Sequence, residues 1–369
     1  MQIPACPPSV WKHLFAVANA FRDIEPWLWM SDTDVFGVQN PKNQQIGYCC
    51  VLGELGEVFG LVVYLGTEGL EQHGKILSGK LRAGSPEMVY GQSCLTAWFS
   101  NRNELDKIDI EIAKQASFKP RGRSSWPQFR SFRPGYHPWF LTEDEARYLM
   151  LCLEQTRDVA LRLKTNPKWL AATSKGHYRV RVTITNSETT ANQATPTGDE
   201  TGQQTLFPDS AQKQAGQWLD QWLKPTPLAQ RSVASVPLDE VRLQRIKNAS
   251  QAHASAWEID GFFSMDAVDG DDRPYYPYML LCVDHDSGFI LGSALANPST
   301  WESEFIEAFL NGIEQSKLFP EKLTLRKEDL RRLFEPSAAK LGIRLELTKK
   351  LAAVDHAKRE FEKFAKRRH

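Results

Sequence analysis

The sequence predicts an α/β protein of two domains, and three observations carry that expectation. The second half alternates strands and helices in the order βββαβαβα, the first half reads as an antiparallel meander accompanied by helices, and a polar stretch separates them. A chain of 369 residues also exceeds what one hydrophobic core usually organises. The boundaries that follow are a mixed α+β domain over 1–185, a flexible polar linker over 186–214, a connecting helical segment over 215–254 and a βββαβαβα domain over 255–369.

In the first half, Val10, Leu14, Phe15, Val17, Ala18 and Phe21 recur at helical spacing and predict a helix over 10–24. Apolar runs at 35–38, 46–52 and 59–65, separated by turn residues, read as the meander. A strand at 94–99, a helix at 104–115, an extended segment at 126–132 and a helix at 143–164 follow. Thr142 and Glu145 have capping-box spacing at the start of that last helix. The alternating HYRVRVTIT at 177–185 predicts an edge strand.

From 186 to 214, Thr, Gln, Asn, Ser and Gly replace the periodic apolar residues, so too little surface can be buried to offset the entropy of ordering the chain. Trp218, Trp222 and Leu223 then recur at helical spacing before Pro225 and Pro227. In the second half, strands are expected at 257–263, 279–283, 289–295, 322–325 and 343–347, and helices at 301–315, 328–341 and 351–364. Ser299 and Glu302 have the spacing of a capping box before the first of these helices.

Composition narrows function without selecting one. Lys plus Arg equals Asp plus Glu at 45 each, so no whole-molecule field favours a polyanion. The opening MQIPACPPSVWKHLF lacks the pattern of a secretory leader, and no uncharged apolar stretch approaches the roughly 18 residues of a membrane span. A soluble, cytoplasmic protein without a membrane partner is expected. Cys6, Cys49, Cys50, Cys94, Cys152 and Cys282 are scattered through mainly apolar segments, which predicts reduced, buried thiols. With no CxxC pair and dispersed histidines, neither a metal nor another cofactor is expected.

Three local motifs in the second half carry a resemblance. Trp257-Glu258-Ile259-Asp260 has the form W-x-x-D, and Val283-Asp284-His285-Asp286-Ser287-Gly288 has the form V-D-x-x-S/T-G. Pro320-Glu321-Lys322-Leu323-Thr324-Leu325-Arg326 follows P-x-x-I-x-x-D until its last position, where arginine replaces the acid. In order and spacing, residues 256–365 resemble the integrase branch of the ribonuclease H-like superfamily. That resemblance implies that Asp260 and residue 326 sit on adjacent strands, where the enzymes place carboxylates that hold two divalent metals for phosphoryl transfer. It also implies that Arg326 converts the centre into an ion pair with Asp260. Asp355 and Glu360 on the last helix, and Glu302, Glu304 and Glu307 on an earlier one, would be remnants of the other acids. The whole chain resembles uncharacterised bacterial proteins that join two domains of unknown function, on wording such as Pro26-Trp27-Leu28-Trp29 and Gly66-Thr67-Glu68-Gly69-Leu70.

Other constellations are weaker. Asp266, Asp269, Asp271 and Asp272 lack the ligand spacing and central glycine of an EF-hand, and read as a solvated turn. Gly53-Glu54-Leu55-Gly56-Glu57 is too short and acidic for a phosphate cradle, and no G-x-S-x-G elbow exists. Residues 112–142 contain no acid and interleave cations with aromatic rings. Lys119, Arg121, Arg123, Trp126, Phe129, Arg130 and Arg133 are the candidate nucleic-acid contacts there, since alternating charge and ring faces suit backbone neutralisation with base stacking. The same residues also suit a loop packed on a core with its arginines snorkelling to water or pairing with acids.

The reading that results is a non-catalytic binding or assembly protein with a degenerate ribonuclease H-like domain. A metal-dependent nuclease with a rearranged acid set and a single-stranded nucleic-acid binder acting through residues 119–139 are the alternatives. Its partner, nucleic acid or protein, is not legible.

Overall fold

The computed structural model describes residues 6–56, 58–81, 85–120, 125–172, 174–183, 218–228, 236–249, 251–264 and 266–366. The expected linker over 186–214 lies outside them. The chain is built on two sheets, each with helices against it, as an α/β fold requires.

The first sheet opens as a meander of β1 (Phe36–Gln39), β2 (Ile46–Leu52), β3 (Phe59–Leu65), β4 (Cys94–Ser100) and β5 (Trp126–Phe132), each antiparallel to the one before. Strand β6 (Tyr178–Thr183) joins parallel to β1, and β7 (Trp218–Leu223) closes the order β5-β4-β3-β2-β1-β6-β7. Central β2 and β3 are apolar almost throughout because both their faces are covered. On one face pack α1 (Pro8–Arg22), α4 (Lys107–Gln115) and α5 (Glu143–Thr165), around Phe15, Phe21, Phe36, Leu61, Leu149 and Leu153. On the other, α2 (Gly66–Leu77) presses Leu70 and His73 toward Tyr48, Cys50, Val62 and Tyr64, and the short α3 (Pro86–Gly91) follows it. The α5 capping box forms: Thr142 Oγ1 accepts from the Glu145 amide at 3.3 Å and Glu145 Oε2 from the Thr142 amide at 2.8 Å.

After α6 (Glu240–Ala249) comes the second sheet: β8 (Gln251–Phe263), β9 (Tyr278–Asp284), β10 (Ile290–Ala296), β11 (Leu318–Leu325) and β12 (Arg344–Leu347), in the order β10-β9-β8-β11-β12. β8, β9 and β10 run antiparallel, while β11 and β12 run parallel to β8. Helices α7 (Trp301–Ser316) and α8 (Glu328–Leu341) bury Phe305, Phe309 and Phe334 with Trp257, Ile259 and Leu323. Helix α9 (Ala352–Lys366) covers the opposite face, with Leu351 and Val354 against Met279, Leu281 and Val283. Both sheets therefore share three antiparallel strands with a fourth parallel to the first, and differ beyond that.

Three expectations need correction. The segment with Trp218 and Trp222 is a strand, because a spacing of four suits both periods and β6 offers an unpaired edge; Arg179 stacks 4.7 Å from the Trp222 ring. For the same reason β6 is interior and not an edge strand. The Ser299–Glu302 capping box does not form: α7 has Thr300 at its N-cap, and Ser299 Oγ donates to Asn297 Oδ1 at 2.8 Å.

The domains meet through main chain and side chain. The His137 amide donates to Pro274 O at 3.0 Å, the Tyr276 amide to Gly135 O at 2.9 Å, and Arg273 Nη2 to Ser131 O at 3.0 Å. Gly135 has φ 81°, and a Cβ there would lie 2.8 Å from the Pro298 ring, so both conformation and close approach demand glycine. All six cysteines are free thiols, five of them buried. Among the described residues no helix is long and apolar enough to cross a membrane.

Candidate functional site

Strand β8 alternates its side chains, so Trp257 and Ile259 enter the core while Glu258 and Asp260 face α9. Both carboxylates are buried. The parallel register sets Leu325 of β11 opposite Ile259, which brings the next residue, Arg326, alongside Asp260. Arg326 Nη1 lies 3.2 Å from Asp260 Oδ2, and Arg326 Nη2 donates to Asp355 Oδ1 at 2.6 Å. One guanidinium thus joins the first strand to the last helix.

Each neighbour of this pair is itself held. Glu258 Oε2 accepts from the Val354 amide at 3.0 Å in the first turn of α9, where a carboxylate complements the helix dipole. Its Oε1 accepts from His285 Nδ1 at 2.7 Å. Asp260 Oδ1 accepts from the Gly261 amide at 3.0 Å. Lys327 Nζ donates to Gly261 O at 2.6 Å and to the Tyr278 hydroxyl at 3.3 Å. Burial pushes the Asp260 carboxyl above its ordinary range, and the charges of Lys327 and Arg326 only partly oppose it. Burial likewise pulls the Lys327 ammonium down, against the charge of Asp260.

The remaining acids are elsewhere. Glu360, farther along α9, accepts from Lys363 at 2.7 Å. Asp284 is buried in its own hairpin turn, accepting from the Ser287 amide at 2.8 Å and hydroxyl at 2.7 Å. Glu304 accepts from Thr300 and Glu307 from Arg242. Divalent metals demand oxygen ligands and compensation of positive charge, and at residue 326 this chain offers a second cation. The residues present do not fit a two-metal centre.

The acid-free segment corrects the nucleic-acid expectation at two positions. Arg130 is buried, donating to both Asp109 oxygens at 2.7 Å and to Asp106 at 2.8 Å, with its guanidinium 4.6 Å over the Phe140 ring. Phe129 is buried against Trp11 and Phe15. Residues inside the core cannot present charge or a stacking face to a nucleic acid. Trp126 is half-buried on Phe118, Arg133 pairs with Glu145 at 2.9 Å, and Lys119 is exposed. Arg121 and Arg123 lie outside the described residues.

Reasoning from sequence missed Glu258, His285 and Lys327. Strand period was the available signal for Glu258, which shares a face with Asp260 in Trp257-Glu258-Ile259-Asp260. No local signal marked Lys327, whose contacts come from β8 and β9.

Residues 11–181 match Domain of unknown function (DUF7309). Residues 242–362 match Domain of unknown function (DUF6930). No curated protein matches the chain. The Asp260–Arg326–Asp355 network falls wholly inside the DUF6930 match, and residues 119–139 fall inside the DUF7309 match.

Proposed function

We propose that this chain is a non-catalytic binding or assembly protein whose second domain is a degenerate ribonuclease H-like domain. One observation carries the reading: Arg326 lies 3.2 Å from Asp260 and 2.6 Å from Asp355, so a guanidinium stands where such an enzyme needs an acid. Its charge repels a divalent ion and contributes no ligand oxygen, while its contacts engage both carboxylates. The strand order β10-β9-β8-β11-β12 supports the fold part of the reading, because it brings Asp260 of β8 beside Arg326, the residue just past the end of β11, with α9 across them. In this reading the first domain takes in 1–185 together with β7, the second runs from α6 to α9, and the segment over 186–214 links them. Burial of Phe129 and Arg130 favours this reading over the nucleic-acid alternative.

Calorimetric titration with Mn²⁺ tests the proposal. The intact chain is expected to take up no ion at this centre. Stoichiometric binding that disappears in Asp260→Asn, with the fold retained, would overturn the reading.

A further inference from the structure

Lys327 stands where the fold disfavours a positive charge. It follows Arg326 just past the end of β11 and is the N-cap of α8, which puts it at the positive end of a helix dipole. The side chain is half-buried, and both acceptors it meets among the described residues are neutral: Gly261 O at 2.6 Å and the Tyr278 hydroxyl at 3.3 Å. An ammonium has three donors to satisfy, whereas a neutral amine has two. Two acceptors match the neutral form, with its lone pair left for an electrophile.

The neighbouring carboxylates are engaged elsewhere. Asp260 pairs with Arg326 and accepts from the Gly261 amide, Asp355 accepts from Arg326, and Asp329 accepts from the Leu330 amide at 3.0 Å. The charges of Arg326 and Lys358 add to burial in lowering the basicity of Lys327, against the opposing pull of Asp260 and Asp329. Lys358 itself lies on a ring, 4.3 Å from the centre of Phe262. A lysine desolvated beside other cations is the kind of amine that forms Schiff bases.

Its position also suits a ligand. Gly261 to Phe263 and Arg326 to Lys327 lie at the carboxyl ends of the parallel strands β8 and β11, where open α/β sheets take their ligands. The Arg326 side chain keeps 34% of its exposure, so these surroundings open to solvent.

We propose that Lys327 captures small carbonyl compounds that carry an anionic group, such as 2-oxo acids, as a reversible imine. The amine lone pair attacks the carbonyl carbon to form the N–C bond, and departure of the carbonyl oxygen as water breaks the C–O bond. Both protons of that water come from the amine, so nothing is oxidised or reduced. The Tyr278 hydroxyl touches Nζ and can relay them. Arg326 and Lys358 attract the anionic group. Capture is stoichiometric and needs no metal, so the inference goes beyond the binding reading and does not depend on the Mn²⁺ titration.

Glyoxylate with cyanoborohydride, which reduces an imine to a stable amine, tests this on the intact chain by peptide mapping. At about pH 7, Lys327 is expected to be labelled about tenfold faster than exposed Lys42 or Lys363, since each unit of lowered basicity frees about ten times more amine. Its rate should saturate with glyoxylate concentration, as binding at a site requires. With uncharged glycolaldehyde, the ratio of Lys327 to Lys42 labelling should fall. Arg326→Met, checked for folding by circular dichroism, should lower the glyoxylate ratio in the same way. Labelling spread evenly over exposed lysines, or a Lys327 rate that does not saturate and shows the same ratio to Lys42 with both probes, would overturn the inference. The wild-type comparison decides the matter even if the variant does not fold.

Discussion

Arg326 lies 3.2 Å from Asp260 on the neighbouring parallel strand, and the same guanidinium reaches Asp355 on α9 at 2.6 Å. Asp260 is nearly sealed from solvent, whereas the Arg326 side chain keeps 34% of its exposure. The two ends of the pair therefore respond differently to substitution. Arg326→Met leaves a buried carboxylate with Lys327 as compensation, and is expected to cost about 1–3 kcal/mol. Asp260→Asn leaves a partly solvated guanidinium still bound to Asp355, and is expected to cost about 1 kcal/mol or less. Urea unfolding of both variants checks the order. A larger loss in Asp260→Asn would show that the arginine is the more dependent partner.

Arg130 is the stronger structural case, because both it and Asp109 are buried and doubly hydrogen-bonded. Arg130→Met is expected to destabilise the chain by about 3–5 kcal/mol through the stranded Asp109 carboxylate. The double variant Arg130→Met with Asp109→Leu should recover part of that loss. If Arg130→Met leaves the unfolding midpoint unchanged, the pair contributes nothing to the fold.

Glu145 gives a pH dependence with a defined sign. Burial works to raise its carboxyl, but the Thr142 amide, Arg133 and Ser131 outweigh it and hold it below the usual range. A depressed carboxyl contributes stability that is present above its unfolded value, about 4.3, and is lost as pH falls through the folded value. Glu145→Gln should thus cost about 1 kcal/mol near pH 7, with the deficit shrinking below about pH 4. A deficit that stays constant down to pH 3 would contradict the assignment.

The segment over 186–214 is poor in apolar residues and rich in Thr, Gln and Ser, which predicts that light proteolysis cuts within it. The fragments should nevertheless co-elute, because β7 follows that segment in the chain but pairs with β6 ahead of it, and Arg273 bonds Ser131 across the domains. Size exclusion after cleavage checks this. Fragments that separate without denaturant would mean that these contacts do not hold the domains together.

Elements with one clear period were legible in the sequence. β2 and β3 fall on the predicted bounds, and the α5 capping box is present because its partners are three residues apart. Trp218 and Trp222 misled because a spacing of four fits strand and helix alike, and the deciding partner, β6, is distant in sequence. In the candidate site, the strand period and motifs put Asp260 on β8 and Arg326 at the end of β11, while the expectation of Asp355 on the last helix comes only from what the resemblance implies. The roles of Glu258 and Lys327 depend on contacts with Val354, His285 and Tyr278 that no local pattern encodes. Arg130 resembled a surface cation until Asp109, twenty-one residues earlier, supplied its acid.

The proposed absence of metal-dependent chemistry at the Asp260 centre is checked most directly by a cleavage assay. Purified intact chain should be incubated with Mg²⁺ or Mn²⁺ and single-stranded DNA, duplex DNA and an RNA–DNA hybrid, alongside Asp260→Asn. No cleavage above a metal-free control is expected for either protein. Reproducible metal-dependent cleavage by the wild-type chain, abolished in a folded Asp260→Asn variant, would contradict it.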